Sequence, residues 1–596
     1  VLLKALADHA PHVDGLPPAG YRTRTVRWAI LIDAHGAPLS RGADGRPALD
    51  DLAGPDHRNG IALEAPYVYR SGAKPPPLLL VDTLQYVLAV PKEPGDKAER
   101  EAARRNSAYI DLLREWAAAT PADPTATAVL AFFTSDHHRR IAVPAHAKPT
   151  DNVALRVHGH EGWPHLGEAA QRCWSRTVAA RKSGRTGTGL CLSCGTVGTL
   201  LDTLPQSVKS GAIPAGNGRA RDAQLVSVNT TAQGRGGRIQ LADIPVCDHC
   251  GTQSTAVLNA LLADPEHRHR TDDAVTVWWL KEPASFSPLR LLEQPRPDQV
   301  AALYRELDRA RARPADAETN RFYALTLSAN QSRVVVREWL DIPLERSIAH
   351  ITAWFEDHRM QDVRTGELRY APRWLMEYSL GRGTTDGDTW RYLGGSQPVY
   401  AGPDLLHCAL RGPTHRPPER LLQRLLQRIR ADGHIDHTRA ALLRLLLIRR
   451  NPAERTRLMP RLNVDDARPA LVCGRIFAVL EEIQYYALRD PTTKKGPNTT
   501  ITDRYFKQAA VAPLSQLVRL RMNANGHLKR LRRDNGGAAT ALSDRLHELF
   551  DLLPDGPPAV LDLHGQGLFV VGYHQQRAHS REAQRGNRPD STEENE

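Results

Sequence analysis

The chain opens with apolar residues at Leu2, Leu3 and Leu6, a helical spacing, and the Pro17-Pro18 pair marks a turn after that element. Val26, Trp28, Ile30 and Ile32 then alternate with small or polar residues, the period of a half-buried strand that ends at Asp33 to Gly36. The run Leu78 to Val81, with Asp82 and Tyr86 behind it, predicts a buried element. Lys97 to Ala119 places Tyr109, Leu112, Leu113 and Trp116 on one helical face. Between them, Tyr69 to Pro75 reads as a shaped loop, since Gly72 permits positive φ and Pro75 disfavours helix in the residue before it. Further on, Ala274 to Leu280 and Phe322 to Arg337 look like strands and Pro297 to Arg313 like a helix.

After the proline-rich break Pro413 to Pro418 the pattern becomes helical. Leu421, Leu422, Leu425, Leu426 and Ile429 share a face, Gly433 is a stop, and Ala440 to Ile448 starts again. Arg468 to Leu488, Asp503 to Leu520, and a shorter pair around Leu528 and Leu542 to Leu553 complete a bundle. The expected fold class is α+β, with mixed α/β N-terminal and middle regions, a zinc-knuckle insertion and a C-terminal helical bundle. The expected division is 1–170, a mixed α/β region with a motif-reading loop; 171–262, a basic glycine-rich segment and zinc-binding insertion; 263–412, a mixed α/β region; 413–577, the helical bundle; and 578–596, a polar, disordered tail.

Composition narrows the class. At 596 residues the chain is too long for one core, and 41% hydrophobic with 24% charged residues is ordinary for a soluble protein. A formal net charge of +12 favours a polyanionic partner. No window approaches the ~18–20 apolar residues of a bilayer span, and the start is polar by Lys4 without a signal layout, so a cytoplasmic protein is expected.

Four of the seven cysteines form Cys191-Leu192-Ser193-Cys194-Gly195 and Cys247-Asp248-His249-Cys250-Gly251. Two such turns supply four soft ligands for one closed, structural zinc, with a redox pair as the alternative. His249 is expected to face solvent beside the knuckle, and Cys173, Cys408 and Cys473 to be buried bystanders.

Catalytic constellations are scarce. Gly184 to Gly189 lacks the lysine and hydroxyl of a phosphate loop, Asp136-His137-His138 has no second ligand set, and neither a G-x-S-x-G elbow nor an H-E-x-x-H helix occurs. Basic residues are plentiful. Arg172, Arg176, Arg181, Lys182 and Arg185 lie in a stretch without acids that reads as a solvated linker or as part of a nucleic-acid surface. The bundle adds Arg424, Arg428, Arg430, Arg439, Arg444, Arg449 and Arg450, and then Arg519, Arg521, Lys529, Arg530, Arg532 and Arg533. Guanidinium groups suit phosphates, although Asp432 and Asp436 lie near enough to neutralise part of this set.

Several segments together resemble the large subunit of the type I-C CRISPR Cascade, a surveillance complex that finds DNA by pairing it with a guide RNA. They are Leu2 to Ala7 with Leu16-Pro17-Pro18; Arg70 to Pro75 with Asp82 and Tyr86; Leu225 to Asn229; Leu325 to Asn330; Arg333 to Trp339; Gly474 to Glu481; Thr500 to Phe506; and Gly567 to Gln575. The chain departs from the family pattern at Gly234 to Gly237 and in its paired C-x-x-C motifs.

The resemblance implies a non-enzymatic subunit that recognises the protospacer-adjacent motif on duplex DNA, stabilises the displaced strand and helps recruit the helicase-nuclease. It implies guide-RNA-containing backbone subunits as partners, and a small helical subunit made from an internal start, for which Met459 is one candidate. Combined with the residue reading, it points to Arg70, Ser71, Gly72, Lys74, Asn229, Asn330, Arg333, Arg519, Arg521, Lys529, Arg530, Arg532 and Arg533 as DNA contacts. The alternatives are a zinc-dependent nuclease or nucleic-acid-modifying enzyme, which needs a metal position open to water, and a zinc-containing regulator that reads DNA alone.

Overall fold

The structure, a computed structural model, describes residues 2–56, 58–70, 75–182, 187–214, 222–271, 273–284, 288–311, 320–330, 333–386, 389–490, 492–493 and 496–586. The fold is mixed α+β with small sheets and a helical C-terminal region. Two compact units divide it, Val1–Pro283 with Tyr323–Asp341, and Ala284–Phe322 with Ile342–Glu596. The stretch 263–412 is thus shared between both units.

In the first unit a hairpin pairs Tyr21–Val26 with Ile61–Pro66 in antiparallel register. Beside it runs a four-stranded sheet in the order Asp50–Asp51, Trp28–Ile32, Asn152–Val157, Val81–Thr83, whose central pair is parallel. Trp28–Ile32, expected to be half-buried, is buried at all but one position. The sheet is covered on both faces. Trp28, Ile30, Val153 and Leu155 pack with Phe132 and Trp116 from the helices Pro124–Thr134 and Asp96–Ala119, while Ala154 and Val81 meet Val26 and Ala65 of the hairpin.

A second four-stranded sheet has the order Arg333–Pro343, Arg321–Asn330, Val275–Leu280, Arg268–Arg270. The helices Leu2–Asp8 and Asp248–Ala263 pack on it, and Trp279 donates its indole N–H to the Ala5 carbonyl at 3.3 Å.

The basic stretch from Gln171 is not a linker. Glu168–Lys182 is a helix that buries Ala170, Cys173, Trp174 and Val178, and Trp174 donates to the Gly20 carbonyl at 2.6 Å. Its 3-4 spacing of apolar residues is masked in the sequence by the interleaved arginines.

The second unit is mainly helical. Pro469–Leu488 and Leu563–Gly586 pack most closely, with backbone against backbone. A Cβ on Gly474 would lie 1.9 Å from the Phe569 carbonyl oxygen, and one on Gly572 would lie 2.2 Å from the Leu471 carbonyl oxygen. Only glycine permits this approach. The rings of Phe477, Phe506, Phe569 and Tyr573 fill the space beside it at centroid separations of 5.3–5.9 Å.

Two boundaries differ from expectation. The single helix expected over Asp503 to Leu520 is two helices, Ile501–Ala509 and Pro513–Asp534. The first is fixed by a capping box of Thr500 and Asp503, and the second starts on Pro513, whose missing N–H is harmless there. Leu528 belongs to the second. The polar stretch from Ala578, expected to be disordered, is helical to Gly586 because long-range partners hold it. Ala578 and Ser580 are buried, Glu582 pairs with Arg461 at 2.9 Å, and Arg585 donates to the Val363 carbonyl at 3.0 Å. Residues 587–596 lie outside the described residues.

The close helix contact sets an expectation of opposite sign at two glycines. Gly572→Val must push the two helices apart and should cost about 3 kcal/mol. Gly526→Ala, in the middle of Pro513–Asp534 with nothing within 4 Å of its added Cβ, should instead stabilise by roughly 0.5–1 kcal/mol. Denaturant unfolding of both variants checks the pair, and a neutral Gly572→Val would disprove the contact.

Candidate metal centre and nucleic-acid interface

Cys191, Cys194, Cys247 and Cys250 converge, with all four sulfurs within 4.8 Å of one another. The first pair sits on the turn between the paired strands Thr188–Leu190 and Val197–Thr199. Gly195, at φ 74°, closes that turn, its N–H donating to the Cys191 carbonyl at 2.9 Å. The second pair is not on a free turn, as the sequence suggested. Cys247 is the N-cap of Asp248–Ala263 and Cys250 lies in its first turn, where helix amides and dipole favour thiolates. Gly251 is therefore not a turn residue. Its N–H donates to the Cys247 carbonyl at 3.0 Å, and a Cβ there would meet Leu201 Cδ1 at 2.6 Å.

Backbone pairing brings the two halves together across the intervening segment. Leu192 N–H donates to the Pro245 carbonyl and Leu201 N–H to the Val246 carbonyl, each at 2.9 Å. The Cys194 and Cys247 sulfurs are 3.9 Å apart, near the about 3.8 Å edge of a tetrahedron with ~2.3 Å metal–sulfur bonds. The Thr196 hydroxyl and backbone N–H lower the Cys194 pKa to about 6, while burial raises those of Cys247 and Cys250. Four soft donors at this spacing fit a metal ion with no position left for water. His249 is exposed and outside the cluster.

The base of the loop 70–75 is held by a buried carboxylate. Asp82, fully buried, accepts from Arg70 Nη2 at 2.5 Å, from the Leu78 N–H at 2.7 Å and from the Thr83 N–H at 2.7 Å. The Arg70 guanidinium lies 4.6 Å from the Tyr86 ring centroid, and the Tyr86 hydroxyl donates to the Pro75 carbonyl at 2.6 Å. From the helix Glu168–Lys182, Arg181 donates to the Pro77 carbonyl at 2.7 Å and Lys182 to the Tyr69 carbonyl at 2.9 Å. Burial lowers both pKa values, that of Lys182 to about 8.

Arg70 is thus an anchor rather than a free DNA contact. Arg181 and Lys182, read from sequence as part of a linker, clamp the same loop. Ser71, Gly72 and Lys74 lie outside the described residues.

Two sets of basic residues in the helical unit part company. Arg439 and Arg428 bind Asp432, Arg449 binds Asp357 at 2.8 Å, Arg450 binds Glu419 at 2.6 Å, and Arg444 donates to the Leu458 carbonyl at 2.8 Å. Arg439 is fully buried, and Arg444 and Arg449 nearly so. These arginines hold helices together and are withdrawn as strand contacts.

The helix Pro513–Asp534 behaves differently. It buries Leu517, Leu520, Ala524, Leu528 and Leu531, so Arg519, Arg521, Lys529, Arg530, Arg532 and Arg533 lie on its exposed arc, which they share with the exposed Leu514, Val518 and Met522. Arg519 lies over the Tyr505 ring and Arg521 over the Phe550 ring, at 5.6 and 4.3 Å. Among the described residues none of the six meets a carboxylate.

The other candidate residues are less specific. Asn229 is exposed and accepts from the Ser227 hydroxyl at 3.0 Å. Asn330 ends one strand and Arg333 begins the next, and their side chains lie outside the described residues. His138 is buried against Phe133, 5.2 Å between ring centroids, with its pKa lowered by burial, which is a packing role. Cys173, Cys408 and Cys473 are buried, as expected. Sequence reasoning missed a network in which Asp222 accepts from Arg22 at 2.7 Å and from the Tyr67 hydroxyl at 2.9 Å, tying the hairpin to the cysteine-bearing segment. No local motif marks it, because its members are distant in the chain.

Comparison with known families supplies the identity that geometry alone does not. The family described as CRISPR-associated protein (Cas_Csd1) matches residues 3–581, and the chain belongs to that family. No curated protein matches it.

Two outcomes follow from this geometry. Asp82→Asn leaves Arg70 without its counter-charge and should destabilise the first unit by about 3 kcal/mol, read by chemical unfolding; an unchanged midpoint would refute the anchoring role. Metal-replete protein should hold about one soft divalent ion per chain by elemental analysis. Its removal should raise proteolytic cleavage within 188–250, and metal-free protein with wild-type protection would count against the centre.

Proposed function

We propose that this CRISPR-associated protein is the non-catalytic large subunit of an RNA-guided DNA surveillance complex of the type I-C Cascade kind, working in antiviral defence in the cytoplasm. In this reading guide RNA carried by backbone subunits reads the sequence by base pairing, which leaves the protein a short motif and the strands' backbones to recognise. The loop 70–75 reads the protospacer-adjacent motif on the duplex. The helix Pro513–Asp534 holds the displaced strand, and the assembled subunit helps recruit the helicase-nuclease.

One observation carries the reading: a chain of this family presents on one helix an arc of six exposed cations that meet no carboxylate among the described residues. Phosphate contacts of that kind supply affinity without sequence preference. The flanks of 70–75 are anchored through Arg70, Arg181 and Lys182, which supports a motif reader there. Zinc is the metal proposed for the four thiols. It would cross-link the strand turn and the helix N-terminus, a structural role consistent with a closed ligand set. A small helical subunit from an internal start, with Met459 as one candidate, would keep the Gly474–Gly572 contact intact.

The test is DNA binding by the complex assembled with its guide RNA, on duplexes with the motif present or scrambled. Replacing Lys529, Arg530 and Arg533 by Gln should weaken both duplexes alike, about tenfold, and lower the salt slope by roughly 2. Lys74→Ala should cost roughly 1–3 kcal/mol on the motif-bearing duplex alone if the lysine meets a base edge. Wild-type binding by both variants would defeat the reading, and DNA cleavage by the purified chain that vanishes in a point variant would reverse the non-catalytic assignment.

A further inference from the structure

The second unit contains an open cleft of about 730 Å³ on the exposed face of the helix Glu419–Asp432. Arg420, Gln423, Arg424, Gln427 and Arg430 line it from that helix, with Tyr400 opposite, and none of the lining residues is acidic. The helix buries Leu421, Leu422, Leu425, Leu426 and Ile429, so its 3-4 periodicity gathers the five polar residues on the other side.

The three guanidiniums are not equivalent. Arg420 is neutralised, since Asp404 accepts from its Nε and Nη2 at 2.7 Å each, and it lies 4.4 Å from the Tyr400 ring centroid. Arg424 donates to the Leu380 carbonyl at 2.9 Å and to the Gln427 amide oxygen at 3.1 Å. Arg430 donates to the Gln566 amide oxygen at 3.2 Å. Both therefore keep their full charge while neutral acceptors hold them in place. That arrangement is preorganised for an anion, because the cations are oriented beforehand and no internal ion pair must break. Two such positions, with amide side chains between them, fit a ligand carrying consecutive phosphates.

We propose that this cleft binds consecutive phosphates of a single nucleic-acid strand. The proposal rests on the nucleic-acid function above and adds a contact separate from the helix Pro513–Asp534. A strand fits better than a free nucleotide because the cleft is open to solvent and Gln423 and Gln427 offer amides to sugars or base edges.

The experiment measures binding of a labelled twelve-nucleotide thymidine strand to the full-length protein over a salt series. Gln427 is exposed, so its charge can be varied in both directions without disturbing the core. Gln427→Glu should weaken binding roughly tenfold at low salt and Gln427→Lys should strengthen it, a reversal of sign that misfolding cannot produce. Arg424→Gln with Arg430→Gln should lower the salt slope by about 1.4, since each single-strand phosphate contributes about 0.7.

Adenosine diphosphate added as competitor separates the sources. No displacement supports a strand, whereas saturable binding of the nucleotide with the same dependence on residue 427 would assign the phosphate site to a free nucleotide and overturn the strand. If all cleft variants bind as wild type while the Lys529, Arg530 and Arg533 replacements lose affinity, the cleft is refuted and the function stands. If wild type itself does not bind the strand, both fall.

Discussion

A single buried carboxylate governs the electrostatics of the first unit. Asp82 lies beneath a cluster of cations, and its negative charge is what helps keep Arg24 and Arg181 protonated against a burial that lowers the pKa of each, that of Arg24 to about 10. Arg24 has no carboxylate of its own and leans on the Val81 and Pro66 carbonyls at 3.1 and 3.3 Å. With Arg70 paired to Asp82, three cations from separate elements share one anion's field, and Arg24 and Arg181 have donors to spend on the carbonyls of neighbouring chain. Strand, hairpin, helix and loop base are thereby locked around one residue. Several guanidinium groups gathered in so small a volume without that charge would repel one another and lose their hydration at once.

The helical unit solves a different problem. Its axis is a contact that excludes side chains, so the helices Pro469–Leu488 and Leu563–Gly586 approach to carbonyl distance and are held by dispersion and by the surrounding aromatic rings. Around that dry contact the arginines divide by whether an acid lies within reach. Asp357 accepts from both Arg449 and Arg455, and Asp432 from both Arg428 and Arg439. A carboxylate shared between two guanidiniums leaves each partly uncompensated in charge, and not every donor is met: among the described residues Arg428 Nε and Arg449 Nη2 are buried without a hydrogen-bond partner.

How much of this was legible in the sequence depended on the range of the interaction. Periodicity is local, so the helix carrying Tyr109, Leu112, Leu113 and Trp116 and the stop at Gly433, which takes φ 65°, were readable. Cysteine spacing is local too, and the four thiols that cluster were found. It did not reveal that the second pair caps a helix, since Asp248-His249 gives no sign of which side of the boundary it occupies. Charge is where the reading strayed. Arg449 finds its acid 92 positions away and Arg439 finds one at seven, so a row of arginines on a leucine-rich helix looks the same whether it is interior or exposed. The segment 70–75 was singled out in the sequence and its interior lies outside the described residues; the contacts that hold its flanks, Arg181 to Pro77 and Lys182 to Tyr69, come from more than a hundred residues away.

The division of cations also explains where the net charge of +12 is felt. A buried arginine must be matched by an acid or by carbonyls, and each match with an acid removes one unit of each sign from the long-range field. A one-to-one pair such as Arg450 with Glu419 therefore adds nothing to attraction for a polyanion, however basic the local sequence. The surplus belongs to residues that find no acid, and among the described residues Pro513–Asp534 gathers six of them, with Arg424 and Arg430 on the outer face of Glu419–Asp432. Net charge in the sequence argued for a polyanionic partner. The pairing inside the fold decides which helix faces that partner can feel, because a closely paired charge is cancelled at short range and only uncompensated charge sustains a field out to about the Debye length.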